Sequence, residues 1–373
     1  MKLKLNKNRI ALIIIFSVCI LLNILAWNSR PFCDWYGEHI LPFWMSAFGR
    51  PIALLPFSLG EIMIIIAVAL VLLTIPALIV LLIVLKRRRK TVLKVCGLIY
   101  IWIIAFIVVT ETLNCFILYH RSTFGDTYGI PTAEHSSSEL VELCDYLIAN
   151  TNALSKQVPR AENGTFILTA DLDETARKAM AALGDEFPQL SGYYVTPKPI
   201  INSFFMSQQY LMGIYFPFSL EANYNKEMYS SNLPETVCHE LAHTKGFMLE
   251  DEANFIAFLA CDRCDNVEYR YSGYLRALKY VLSEVKDNCS DAEISKAYGS
   301  LAMEVVVDIN GNSAYWRKVE ESDEGLLPSK TVAKISDAAM ETSLKLNGVE
   351  DGKKSYGRMV DLLLNYGIGK NKE

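Results

Sequence analysis

This 373-residue sequence predicts a three-span membrane anchor followed by a mainly helical outer domain with a small sheet. Three observations carry that expectation. Hydrophobic residues make up 51% of the chain and its mean hydropathy is positive, as in integral membrane proteins. Three apolar runs, about 10–27, 62–85 and 95–118, are each long enough to cross a bilayer. After residue 119 the pattern changes to amphipathic helical periodicity interrupted by two short aromatic stretches. The expected division is a membrane domain at 1–119 and an outer domain at 120–373.

Lys2, Lys4, Lys7 and Arg9 precede the first run, Ile10 to Trp27. We read it as a retained span rather than a cleaved signal peptide, because no small-x-small site follows before Arg30-Pro31. The second run, Ile62 to Leu85, contains Pro76 as an expected kink. Glu111 and Asn114 lie near the far end of the third, where headgroup depth suits a carboxylate better than the hydrocarbon core. The basic N-terminus and the cluster Lys86-Arg-Arg-Arg-Lys90, with Lys94, both favour the inside, so the N-terminus is expected in the cytoplasm and everything after Tyr119 outside. Between the first two spans, Asn28 to Glu61 is rich in aromatics and proline and reads as an interfacial or re-entrant loop. The net charge of -5 gives no reason to expect a nucleic acid partner.

In the outer part, Ser136 to Leu154 and Asp171 to Leu183 read as helices, and Tyr193 to Val195 and Leu211 to Phe216 as strands. Helices are then expected at Val267–Val285, Asp291–Val307, Ser313–Glu321, Ser329–Leu346 and Ser355–Tyr366. His120 and His135 read as surface residues. Of nine cysteines, Cys19, Cys96 and Cys115 fall in spans, while Cys261 and Cys264 could form a disulfide or a simple helical pair.

The chemistry gathers at His239-Glu240-Leu241-Ala242-His243. Two imidazoles four positions apart share one face of a helix and can hold one metal ion, while Glu240, about 100° around, is placed as general base. Pro234 opens that helix and Gly246 can close it. A catalytic Zn2+ usually takes three protein ligands, and Glu250 is the expected third, with Glu252 as the other possibility. Asn254, one turn beyond Glu250, is expected to hydrogen-bond the outer nitrogen of a ligating histidine. Tyr356 or Arg358 could supply a donor for a developing oxyanion.

His239-Glu240-x-x-His243 followed by Glu250-x-x-Ala253-Asn254 resembles the gluzincin type of zincin metallopeptidases, with a shorter gap before the glutamate and Asn254 where many members have Asp. Leu249 stands where metzincins carry a third ligand, which sets that group aside. More closely, the chain resembles an uncharacterised bacterial family of membrane-anchored zincin-like proteins. The shared stretches are Gly213-Ile-Tyr-Phe-Pro-Phe-Ser219, Glu221-Ala-Asn223, the metal motif and Gly348-x-x-Asp351-Gly352-x-x-Ser355-Tyr356-Gly357. The gluzincin resemblance implies a membrane-anchored zinc peptidase acting on a peptide or protein, with Gly213 to Phe218 either as an edge strand that a substrate pairs with or as core sheet. The alternative is a sensor or assembly factor that binds a metal or partner without catalysis.

Overall fold

The computed structural model describes residues 7–322, 324–349 and 358–370. Among the described residues, three helices are long and apolar enough to cross a membrane: Lys7–Asn28, Leu59–Val84 and the continuous helical run Lys86–Tyr119. Their side chains are largely exposed, as expected of surfaces made for lipid rather than for a protein core.

The stretch between the first two spans differs from its expectation as a loop. It is a bent helical run from Arg30 to Ala53 with π-turns at Tyr36–Ile40 and Met45–Gly49. Pro31, Pro42 and Pro51 each sit in the first turn of a segment, where a missing N–H leaves no bond unmade. Cys33, Tyr36, Leu41, Met45 and Gly49 form its buried face, a periodicity of about four that the prolines had masked.

Beyond the spans the chain is mostly helical. The helices Ser137–Ser155, Leu172–Ala182, Val267–Asn288 and Ser329–Leu346 fall where periodicity placed them. Asp291–Gly299 and Met303–Glu320 replace the expected pair, the break falling at residues 300–302 after a glycine. The last described helix, Arg358–Tyr366, begins after residues outside the described set.

The sheet has three strands in the order β1 (Lys198–Pro199), β3 (Glu221–Tyr224), β2 (Gly213–Phe216). β1 runs parallel to β3, and β2 pairs with it antiparallel, Gly213 opposite Tyr224 and Phe216 opposite Glu221. Tyr193 to Val195 is not a strand; Tyr194 and Val195 instead pack into the core.

One hydrophobic core crosses the sequence position chosen as a domain boundary. Ala26, Tyr36, Leu41 and Leu118 belong to the same buried cluster as Leu241, Phe255 and Leu278. Polar bonds tie the spans to the sheet as well. Buried Glu221 on β3 accepts hydrogen bonds from the backbone N–H groups of Leu59 (3.0 Å) and Gly60 (2.7 Å), at the start of the second span, and from Lys198 Nζ (2.7 Å). A carboxylate there also opposes the positive end of the helix dipole. In return Glu61 of that span accepts from the N–H groups of Ile201 (2.9 Å) and Asn202 (2.8 Å). From the third span, Asn114 Nδ2 donates to the Pro217 carbonyl at 2.7 Å, and the Tyr215 hydroxyl donates to the Asn114 carbonyl at 3.3 Å.

All nine cysteines carry free thiols, Cys261 and Cys264 included. The two lone histidines are packed rather than superficial. His120 lies edge-on to Trp27 with ring centroids 4.5 Å apart and donates from Nδ1 to the Phe116 carbonyl, and His135 pairs with Asn365.

Candidate metal centre

The motif forms the helix Leu233–His243, with Pro234 in its first turn and every residue from Pro234 to His243 buried. Gly246, at φ +85°, takes the left-handed conformation that ends the helix and returns its N–H to the His243 carbonyl. The chain then re-enters a second buried helix, Glu250–Asp262, whose first residue comes back to the histidines.

His239, His243 and Glu250 form a cluster in which one ligand atom from each lies within 4.8 Å of the others. The two Nε2 atoms are 3.1 Å apart, and they stand 3.3 Å and 3.8 Å from the two Glu250 oxygens. Ligand atoms around a tetrahedral zinc are separated by about 3.3 Å, given bonds of about 2.0–2.1 Å, so the donor set fits such an ion in chemistry and spacing. His243 Nδ1 donates to the Phe247 carbonyl at 2.7 Å, which turns its Nε2 lone pair to the cluster.

Glu252, the other possible ligand, points elsewhere and accepts the N–H of Phe124. Its neighbour Asp251 binds Arg358 Nε at 2.8 Å, which engages that arginine away from the cluster. Tyr356 lies outside the described residues. Asn254 reaches the same cleft but does not hold a histidine: its Nδ2 and His239 Nδ1 are both buried without a hydrogen-bond partner.

Between these side chains the charges are strongly coupled. Burial works against the His239 cation, yet the hydrogen-bonded Glu250 carboxylate outweighs it and lifts the imidazole to about 9. Burial would likewise raise Glu250, but the bond to His239 and its charge hold the carboxyl at about 2. His243 is pushed down to about 4, by burial and then by the neighbouring His239. Burial, with the charges of Glu250 and Glu235 adding to it, pushes Glu240 up to about 8.

A cleft with a cavity volume of about 860 Å³ opens over this cluster. Met212 to Tyr215 line it together with Asn312 and Trp316 of an outer helix, and Cys115 and Tyr119 from the end of the third span also line it. A Cβ at Gly213 would collide with the Glu240 carboxylate, so the absence of a side chain there is what lets the edge strand lie against that residue.

Three cleft residues went unremarked in the sequence. Glu235 is one turn before His239, buried, with Oε1 unpartnered; Arg276 and Lys279 share a face of the helix Val267–Asn288. Helical spacing from the motif points to Glu235, and the Arg276 and Lys279 pair is visible as an i, i+3 couple on a helix already expected.

Fold and site together define a helical protein with candidate membrane spans and a cluster of two buried histidines and a half-buried glutamate beside a sheet edge. A model of a family of proteins of unknown function, DUF3810, matches residues 36–364, and the chain belongs to that family. No curated protein and no solved structure matches it.

Proposed function

We propose that this is a membrane-anchored, zinc-dependent metallopeptidase of zincin type. The observation that carries the reading is the convergence of His239, His243 and Glu250 within 4.8 Å beside a buried, unshared Glu240 oxygen at a sheet edge. A divalent cation held by these three ligands supplies the Lewis acidity that a peptide carbonyl and an attacking water need. Glu240 takes the proton of that water and passes it to the leaving amine. The edge of β2 offers backbone groups to an extended substrate, holding it across the histidine helix. By the distribution of basic residues, the N-terminus lies in the cytoplasm and the cleft outside.

The test uses the full chain in detergent. Metal content by elemental mass spectrometry should approach one zinc per chain in the wild type and in Glu252→Ala, and be lost in His239→Ala and Glu250→Ala. A peptide-library digest should show cleavage that disappears in Glu240→Gln while zinc remains. Full activity in Glu240→Gln, or metal lost only in Glu252→Ala, would refute the assignment.

A further inference from the structure

The strand beside the cluster leads somewhere. β2 starts at Gly213, against the Glu240 carboxylate, and ends at Phe216, whose ring abuts Gly60 at the head of the second span. The next residue, Pro217, accepts the Asn114 side chain of the third span, and Tyr215 between them donates to the Asn114 carbonyl. Four residues, about 13 Å of extended chain, therefore separate the proposed general base from the place where two spans meet the sheet. Cys115 and Tyr119, in the last turns of the third span, line the same cleft as His239 and Glu240.

The other side of the junction is apolar and open. Ile201 and Phe205 are 61% and 46% exposed, and they flank the loop whose N–H groups are held by Glu61 of the second span. Leu54, 85% exposed, lies just before that span. These side chains stand at the level where the span begins, which is where a bilayer surface would receive them.

Resting on the peptidase reading, we propose that the substrate is a membrane-tethered polypeptide, cut within a few residues of where it leaves the bilayer. A chain paired along the free edge of β2 runs from Glu240 towards the spans, so its path continues into the membrane surface and not into open solvent. Each residue advances about 3.3 Å, so the roughly 13 Å of strand between Glu240 and the junction sets the scissile bond about four residues from the bilayer surface.

Two measurements on the full chain in nanodiscs test this. A randomised peptide library is displayed on a single hydrophobic helix through a long spacer, beside the same library free in solution, and product ends are read by mass spectrometry. The expected result is cleavage of the tethered library at least tenfold faster, with cuts clustered next to the helix. Equal rates for free and tethered libraries, or cuts spread evenly along the spacer, would overturn the proposal while leaving the peptidase reading intact. Cleavage of neither library removes the peptidase reading and this substrate with it. Independently of activity, a fluorescent amino acid in place of Ile201, beside the head of the second span, should be quenched several-fold more by a headgroup nitroxide lipid than one in place of Tyr298, an exposed residue of the helix Asp291–Gly299. Equal quenching at the two positions would also overturn it.

Discussion

Buried carboxylates are treated in opposite ways at the two ends of β2. At the membrane end Glu221 has partners for both oxygens, from two backbone N–H groups and a lysine, and Glu61 accepts two more N–H groups. Asp308, deep among the outer helices, is equally well served by Arg160, Tyr229, Tyr271 and the N–H of Phe166. At the cleft end Glu240 Oε2 and Glu235 Oε1 are buried with no partner, as are His239 Nδ1, Thr236 Oγ1 and Asn254 Nδ2. An unmatched buried polar group costs about 1–3 kcal/mol. Among the described residues these cleft groups surround the His239, His243 and Glu250 cluster, as a place kept for a ligand would have them, whereas the satisfied carboxylates are joints.

Substitution should separate the two kinds. The largest effect is expected at Glu240→Gln, which should lower peptide turnover by roughly 10²–10⁴-fold while leaving the thermal midpoint unchanged or higher; a large loss of stability would make Glu240 a joint after all. Glu221→Ala should do the reverse, destabilising the full chain in detergent by about 3–5 kcal/mol because Lys198 is left buried and uncompensated. Chemical denaturation reads this directly, and a change below ~1 kcal/mol would break the contrast. Gly213→Ala should fall between, reducing turnover by about tenfold, or ~1.4 kcal/mol, by displacing Glu240, with zinc content retained.

The smallest effect is on pH dependence. Without bound metal, the folded-state carboxyl of Glu240 is raised from its usual 4.5 to about 8. Between those values the unfolded chain has released the proton and the folded chain retains it, so this group makes stability fall as pH rises. In chelator, the wild type should therefore lose stability relative to Glu240→Gln from about pH 4.5 to about pH 8, with the difference constant above and below. A difference that is flat across this window would show Glu240 to be ionised in the fold.

Much of this organisation is legible from residue patterns alone, but unevenly. The three apolar runs and the histidine helix are signalled by length, spacing and caps, all local properties. Spacing favours Glu250 over Glu252, but what turns Glu252 aside is its bond to the Phe124 N–H, a contact 128 residues apart in sequence. The helical run at Arg30–Ala53 was hidden because prolines tolerated in first turns look like breakers. The strand Glu221–Tyr224 was not among the expected ones because a glutamate and an asparagine within four residues give no strand pattern, and the partners of Glu221 lie on the second span and on Lys198. Tertiary partners, not propensity, made those elements.

The joint at Glu221 also bears on how the protein comes into being. Two of the donors that its carboxylate needs belong to Leu59 and Gly60, so Glu221 is fully paired only when the head of the second apolar helix lies beside β3. A segment of residues 120–373 made alone would carry this buried carboxylate without those two donors, and completing the joint requires both parts of the chain.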